Sequence, residues 1–369
     1  MNLGFTTEHD TLRGELGKLL ARADRRCAAA VHGEPPDAAL WQALAAGGWL
    51  GTAVPLEHGG SGLDGAAVCV LAEEAGRALV ALPLVESACA FVQALRGLPS
   101  VIPPALWHGL AEGRMRGLLI AEDDMDAHLA LDSEGRLRGR ATQLPDGPCA
   151  THALLLAHAE GDAALVLASM PPHGKAAAAD QPLDLLHPCC DIDLSAGETQ
   201  VLARGASARS AWSRARDAQA LFVAFEQLGG AQAALDAARA YSLQRYAFGR
   251  PIGSFQALKH QMADMLAGLD IARSNCLYGL AALSSDGDAL GEAAAVARIS
   301  ATEAYRQCAA GSTQVHGAIG VSWEADCHLH YRRAQALAHS PGSQREWKDR
   351  LVRLLQRRAD ASPAEPLMT

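Results

Sequence analysis

The chain has 369 residues and a formal net charge of −9, with hydrophobic residues at 49% and aromatics at 5%. That length suffices for roughly two or three packed units, and an acidic balance with no long basic run excludes nucleic acid as the expected partner. The nine cysteines, with Cys189-Cys190 adjacent and no CxxC, fit reduced thiols better than a disulfide framework. Glu8, His9 and Asp10 interrupt any leader-like apolar run, and no stretch is long enough to span a membrane, so a soluble cytoplasmic protein is expected.

To about residue 115 the chain reads as helical, since Ala and Leu are strong helix formers and dominate the apolar content. Asp37 stands where an N-cap belongs, ahead of a helix that carries Leu40, Trp41 and Leu44 on one face and stops at Gly47-Gly48. Trp49 to Pro55 then leads into the loop Glu57-His58-Gly59-Gly60-Ser61-Gly62. This loop lacks the GxxxxGK[ST] spacing of a phosphate cradle and the GxSxG spacing of a nucleophile elbow. A further helix runs through Val68, Leu71, Ala72 and Ala75, with Gly76-Arg77 near its end.

From Arg116 to about Ala211 short apolar runs alternate with Asp, Gly and Pro clusters. Strands are expected over 117–121, 153–157 and 164–167, forming a small β unit. From Trp212 helices return. Leu258, Met262, Met265, Leu269 and Ala272 fall on one helical stripe, with Lys259, Asp264 and Asp270 opposite. Another long helix is expected from about Glu292 to Ser312, ending near Gly311, and the tail after Ala359, with Pro363 and Pro366, is expected to be frayed. The order is helices, β unit, helices, an α+β and mostly α chain. The boundaries are 1–115, 116–211 and 212–369.

Four segments in this order carry a resemblance. They are Trp49-Leu50-Gly51-Thr52-Ala53-Val54-Pro55 with His58-Gly59-Gly60-Ser61-Gly62; Glu73-Glu74-Ala75-Gly76-Arg77; Gln244-Arg245-Tyr246-Ala247-Phe248-Gly249 through Gln256 and on to Met265; and Gln314-Val315-His316-Gly317-Ala318-Ile319-Gly320 with Glu324. Together they resemble the acyl-CoA dehydrogenase family over nearly the whole chain. The resemblance implies an N-terminal helical domain, a small middle β domain and a C-terminal four-helix bundle used for oligomerisation. It also implies FAD as cofactor and α,β-dehydrogenation of an acyl-CoA thioester, in which a carboxylate removes the α-proton while the β-hydrogen leaves as hydride to the flavin.

By this resemblance Arg245 would reach the pyrophosphate of a neighbouring subunit's FAD, and Phe248 would pack by the dinucleotide arm. Gln256, Gln314 and Gly317 would line its adenosine side. The plainer alternatives are a helix-end Arg serving the helix dipole and a Phe serving the core.

The chain departs from the family where the base should stand. The turn near the C-terminus reads Ser340-Pro341-Gly342-Ser343 and places Pro341 at one base position, while the other, near the start of the first C-terminal helix, holds Gln219. Neither proline nor an amide is a base; of the nearby acids, Asp217 two residues from Gln219 and Glu226 about two turns on, Asp217 is the candidate. The β-domain loop that would hold this subunit's own flavin reads Glu122-Asp123-Asp124-Met125-Asp126, four carboxylates that would repel a phosphate.

Residues serving a neighbour's FAD are thus kept, and those serving the chain's own flavin and base are not. The expected role is the non-catalytic half of a mixed dimer or tetramer with a catalytic acyl-CoA dehydrogenase subunit. Its expected substrate is a bulky, steroid-like CoA thioester, and an electron-transfer flavoprotein is the expected acceptor. The alternatives are a self-sufficient homo-oligomer using Asp217, a relative that oxygenates with reduced flavin, and a flavin-free acyl-CoA-binding or scaffold protein. His316, His328, His330, His339 and Cys327 lack the spacing of a zinc site, so no metal is expected.

Overall fold

The computed structural model describes residues 5–22, 37–98, 102–121, 129–159, 161–170, 182–285 and 289–361; the acidic run at 122–126 and the tail with Pro363 and Pro366 lie outside them. Among the described residues no helix is long and apolar enough to cross a membrane.

Helix α1 (Thr7–Leu20) starts in a capping box: the Thr6 side chain accepts from the His9 backbone, and the His9 ring accepts from the Thr6 backbone. Its Arg13 reaches Glu73 and Glu74, each at 2.9 Å. Helix α2 (Ala38–Ala46) is capped by Asp37, which accepts from the Leu40 amide at 3.0 Å, and it buries Leu40, Trp41 and Leu44 before Gly47 ends it. Helix α3 (Gly65–Arg77), capped by Asp64, is followed by a π-helix, Leu84–Phe91, that continues into α4 (Val92–Arg96) and then α5 (Pro104–Ala111). Such wide turns are rare and tend to mark functional positions. This one carries Glu86, the lone charged residue between Val80 and Val92.

The three expected strands fall on β1 (Gly117–Ile120), β5 (His152–Ala159) and β6 (Asp162–Ser169). β5 and β6 pair antiparallel along their full length, and β1 runs parallel to the first half of β5. β2 (Ala130–Leu131) pairs with β3 (Leu137–Arg138) and with the far end of β5, while β8 (Thr199–Arg204) lies on the outer side of β6. A separate ribbon joins β4 (Arg140–Pro145) to β7 (Cys189–Asp193). Successive side chains of a strand face opposite ways, so Leu119, Leu154 and Leu165 enter the main helical core while Leu118, Ile120, Leu155 and Val166 form a second core of the β unit. Burial on both faces explains why Leu, a modest strand former, suffices here.

Helix α6 (Gly205–Gln244) begins ahead of Trp212, because Gly205, with φ +62°, turns the end of β8 directly into it. Helix α7 (Gln256–Leu283) buries Met265, Leu269 and Ala272, half-buries Leu258 and Met262, and exposes Lys259, Asp264 and Asp270. Helix α8 (Leu290–His316) does not stop near Gly311. It continues to His316 and ends at Gly317, where φ is +64°. Gly311 is instead a contact point, since a Cβ there would lie 2.5 Å from the Met265 sulfur. Helices α9 (Cys327–Leu337) and α10 (Gln344–Ala361) complete the chain.

The closest crossing is between α3 and α6. A Cβ on Gly76 would sit 1.8 Å from the Glu226 carbonyl oxygen, and one on Gly229 would sit 1.8 Å from that of Glu73. This approach brings Glu226 beside Ala75 at the wall of a cavity.

Candidate functional site

Two places on the molecule gather chemistry: an exposed turn at one end of the bundle and a buried, charged cavity. At the first, α6 gives way to a short ribbon, Tyr246–Ala247 against Arg250–Pro251, that turns through Phe248 (φ +53°) and Gly249 (φ +76°). Two consecutive left-handed residues make this a tight hairpin of the primed type. The conformation is unusual for Phe, and it puts the Phe248 ring 96% in solvent beside the exposed Tyr246. Arg250 lies over the Phe255 ring at 4.2 Å. The exposed Arg245 side chain makes no hydrogen bond or ion pair with the described residues.

The Tyr241 ring stacks on His316 at 4.3 Å, drawing the end of α6 to the end of α8. Helix α7 runs antiparallel to α8, with Met265 against Gly311 and Gly268 against Gln307, so its first residue, Gln256, lies at the same end. Arg245, Phe248, Gln256, Gln314 and Gly317 therefore occupy one end of the bundle, all exposed.

The cavity, of about 140 Å³, lies where the β unit meets the helices. Its walls include Val80, Leu82 and Glu86 from the π-helix region, Asp146 after β4, and Asp184 and His187 ahead of β7. Glu226 on α6 and Arg333 and Leu337 on α9 close it. Arg333 is buried and fully engaged: it pairs with Asp184, with Glu226 at 2.8 Å, and donates to the Val80 carbonyl at 3.1 Å. Burial opposes its charge, but the two carboxylates more than compensate and hold its pKa above the usual value.

Nδ1 of His187 lies 2.8 Å from the buried Asp146, and Nε2 is buried without a partner among the described residues. Burial and the Arg333 charge work against the imidazolium, yet Asp146 and Asp184 keep its pKa above the ordinary value. Glu86 accepts from the Gln219 amide at 2.7 Å, and Gln219 in turn accepts from Arg216 at 2.9 Å. Burial, with Asp146 and Glu226 nearby, raises the Glu86 carboxyl to about 7, against the pull of Gln219 and Arg216.

Glu86 was not anticipated from the sequence. Gln219 is buried and bound to it, while Pro341 presents only its carbonyl, which accepts from the Trp347 indole at 2.9 Å. Asp217 is not part of the cavity. Both its oxygens are held by Arg350, at 2.8 and 2.6 Å, and burial nevertheless leaves its pKa raised despite that cation. The histidines near the C-terminus have local partners: His330 meets the Tyr305 hydroxyl at 3.0 Å and His328 the Ala325 carbonyl at 3.0 Å. The eight cysteines among the described residues are free thiols.

Comparison with known proteins agrees with this architecture. Models of the acyl-CoA dehydrogenase N-terminal and C-terminal domains match residues 6–96 and 213–346. The acyl-CoA dehydrogenase IpdE2 of Mycolicibacterium smegmatis is 32% identical, over 85% of this chain and 87% of that protein. The chain belongs to the acyl-CoA dehydrogenase family. Another family member, acyl-CoA dehydrogenase FadE34 of Mycobacterium tuberculosis, is 33% identical over 88% of the chain, and the chain spans 43% of FadE34's length. Among solved structures, a variant of the Tcur3481-Tcur3483 steroid ACAD superposes with a TM-score of 0.83 at 26% identity, over 96% of this chain and 99% of that one. The ChsE4-ChsE5 complex from Mycobacterium tuberculosis shares the fold, with a TM-score of 0.79 at 24% identity over 99% and 100%.

FAD is the cofactor of this family of oxidoreductases. The bundle end fits part of it chemically: an exposed guanidinium, two exposed amides, an exposed aromatic ring, and a glycine at 317 with open space where a side chain would stand. The cavity does not fit its ring system. At about 140 Å³ it is close to a cavity that holds a single benzene, and a tricyclic flavin ring is much larger.

Proposed function

We propose that the chain is a subunit of an oligomeric acyl-CoA dehydrogenase and that its bundle end completes the FAD site of a neighbouring catalytic subunit. The observation that carries this reading is Arg245, a cation without a side-chain partner among the described residues, beside an almost fully exposed Phe248. Arg245 holds the pyrophosphate through charge-assisted hydrogen bonds. Phe248 packs by the dinucleotide arm, and Gln256, Gln314 and Gly317 line the adenosine side. Bound FAD supplies the acceptor for the hydrogen that leaves the β-carbon. The 212–369 tract is the oligomerising part in this reading; Leu266, Ile271 and Tyr278 on the outer face of α7 are exposed apolar residues available to a second subunit.

Three features favour a catalytic partner over self-sufficiency. Neither expected base position carries an acid, Asp217 is locked by Arg350, and the cavity is too small for a bulky acyl group. A steroid-like thioester, suggested by the Tcur3481-Tcur3483 likeness, is therefore assigned to the partner's site, with an electron-transfer flavoprotein as acceptor.

The test is the visible spectrum of the purified chain, read as FAD per chain, alone and after co-expression with a candidate catalytic subunit. Essentially no flavin alone, with flavin and activity on co-expression, supports the reading; one FAD per chain alone refutes it. In the complex, Arg245→Ala should weaken FAD binding about tenfold or more, the usual worth of a hydrogen bond to a charge.

A further inference from the structure

Residues 182–188, which lead into β7, have a foothold on the helices and another on the β unit. On the helical side Leu186 is buried with Leu79, Ala81 and Leu329, a small apolar cluster apart from the two main cores. Asp184 pairs there with Arg333 and accepts from the Leu186 amide at 3.0 Å, and the Leu183 carbonyl accepts from Arg332 at 3.3 Å. On the β side the Pro188 carbonyl accepts from the Asp146 amide at 2.8 Å, and His187 Nδ1 lies 2.8 Å from the Asp146 carboxylate. Between the footholds Pro182, Leu183, Asp184 and His187 wall the cavity. With so small an apolar anchor, the charges around this segment decide how firmly it holds.

The two walls lose protons in the same direction. The β side contributes Asp146, Asp184 and His187; the helical side contributes Glu86 on the π-helix, Glu226 on α6 and Arg333 on α9. With His187 protonated and Glu86 neutral, three carboxylates face two cations. Once each has given up its proton, four carboxylates face one cation, and they stand on both sides of the contact. Like charges this close repel strongly away from bulk water. Behind the helical wall Arg216 reaches Glu86 through Gln219, and Arg298, which burial brings down to about 9, lies within electrostatic reach of Glu226. Burial pushes the Cys189 thiol up to about 12, so it stays neutral.

We propose that residues 182–188 form a pH-sensitive clasp, which holds the β unit against the helices while His187 is charged and Glu86 is neutral, and lets go when both have lost their protons. Asp146 is 2% exposed, and His187 is the cation it touches. A neutral imidazole leaves that buried carboxylate without a counter-charge, which is costly. Release also brings water to His187 Nε2, which is buried without a partner in the closed clasp. Burial and Arg333 oppose the His187 charge, but Asp146 and Asp184 keep its pKa above the ordinary value, and burial raises Glu86 to about 7. Both groups therefore favour the closed clasp at lower pH, and their contribution is lost as pH rises through about 7 and above. Mild acid does not release it, because Arg333 and His187 hold the Asp184 carboxyl below its usual range despite burial. The clasp needs no flavin and does not depend on completion of a neighbour's FAD site.

The experiment is amide hydrogen exchange of the assembled protein from about pH 6 to about pH 8.5, read by mass spectrometry with each rate divided by the intrinsic rate at that pH. Peptides covering 182–190 should lose protection about tenfold or more across this range, since each pH unit between closed-state and open-state pKa is a tenfold change in the opening equilibrium. Peptides within α8 should not respond. His187→Gln, which keeps a donor for Asp146 without the charge, should show the low protection already at the acid end of the range. Glu86→Gln, which fixes the helical wall neutral, should keep the segment closed to higher pH and guards against a folding artefact in the first variant. Level protection in the wild type, an equal loss in α8, or a wild-type pH response in His187→Gln overturns the proposal. Arg245→Ala should leave the pH response in place, so failure here is distinct from failure of FAD-site completion.

Discussion

The bundle end and the buried cavity treat their charges in opposite ways. At the bundle end Arg245 has no side-chain partner among the described residues, Phe248 is 96% exposed, and Gly317 has open space above it. In the cavity Arg333 pairs with Asp184 and Glu226, and Asp146 with Nδ1 of His187, across four tracts of the chain. Unpaired groups on a rigid hairpin cost little while water solvates them and are ready for a ligand. Buried ones must be paired or shift their pKa. Substitution inside should therefore register in stability, and substitution outside in cofactor occupancy.

The largest expected effect tests the frame that holds the cavity. Gly229→Ala would drive a methyl group into the Glu73 carbonyl at the α3–α6 crossing. Because neither backbone can yield, it should cost at least about 3 kcal/mol, read as loss of soluble protein or a steep fall in denaturation midpoint. Next, Arg333→Ala leaves Asp184 and Glu226 buried without their cation and should cost about 3–5 kcal/mol at neutral pH. A result below about 1 kcal/mol would mean that water reaches these carboxylates and that the contrast between the two regions is false.

A smaller effect sharpens it. The folded state favours protonated Glu86, with a pKa of about 7 against 4.5 for a free glutamate side chain. The folded protein therefore binds more protons than the unfolded chain between those values. Its stabilising contribution is complete below about pH 4.5 and lost as pH rises through 7, at most about 3 kcal/mol. Chemical denaturation across pH 4.5–7.5 should show this component in the wild type and not in Glu86→Gln. The smallest stability effect belongs to Phe248→Ala, within about 0.5 kcal/mol of wild type, since the ring is 96% exposed. The same variant should lower FAD occupancy of the complex, and unchanged occupancy would leave the exposed ring without a role.

Much of this was legible residue by residue. Asp37 and Gly47 bracket α2 as their capping chemistry requires, and the stripe from Leu258 to Ala272 faces the core of α7. Helix α8 ran past its anticipated end because a glycine inside a helix can serve a close contact, and Gly311 meets Met265 there. The bundle-end turn was also legible, since its residues lie within one short segment. Glu86 left one signal that went unused, a single acid in the apolar run from Val80 to Val92. Its partner Gln219 is 133 residues away, and nothing local connects them.

The sequence by itself determined the family, the order of helices and strands, and the hairpin that displays Arg245 and Phe248, because capping, periodicity and turn chemistry act between residues a few positions apart. Tertiary structure alone decided which carboxylates meet which cations. Asp217 was taken by Arg350, Glu226 and Asp184 by Arg333, and His187 by Asp146, over separations of 41 to 149 residues. At such distances along the chain, pairing is set by how helices and the β unit pack, and burial then makes every unpaired charge costly enough to find a partner or change its protonation.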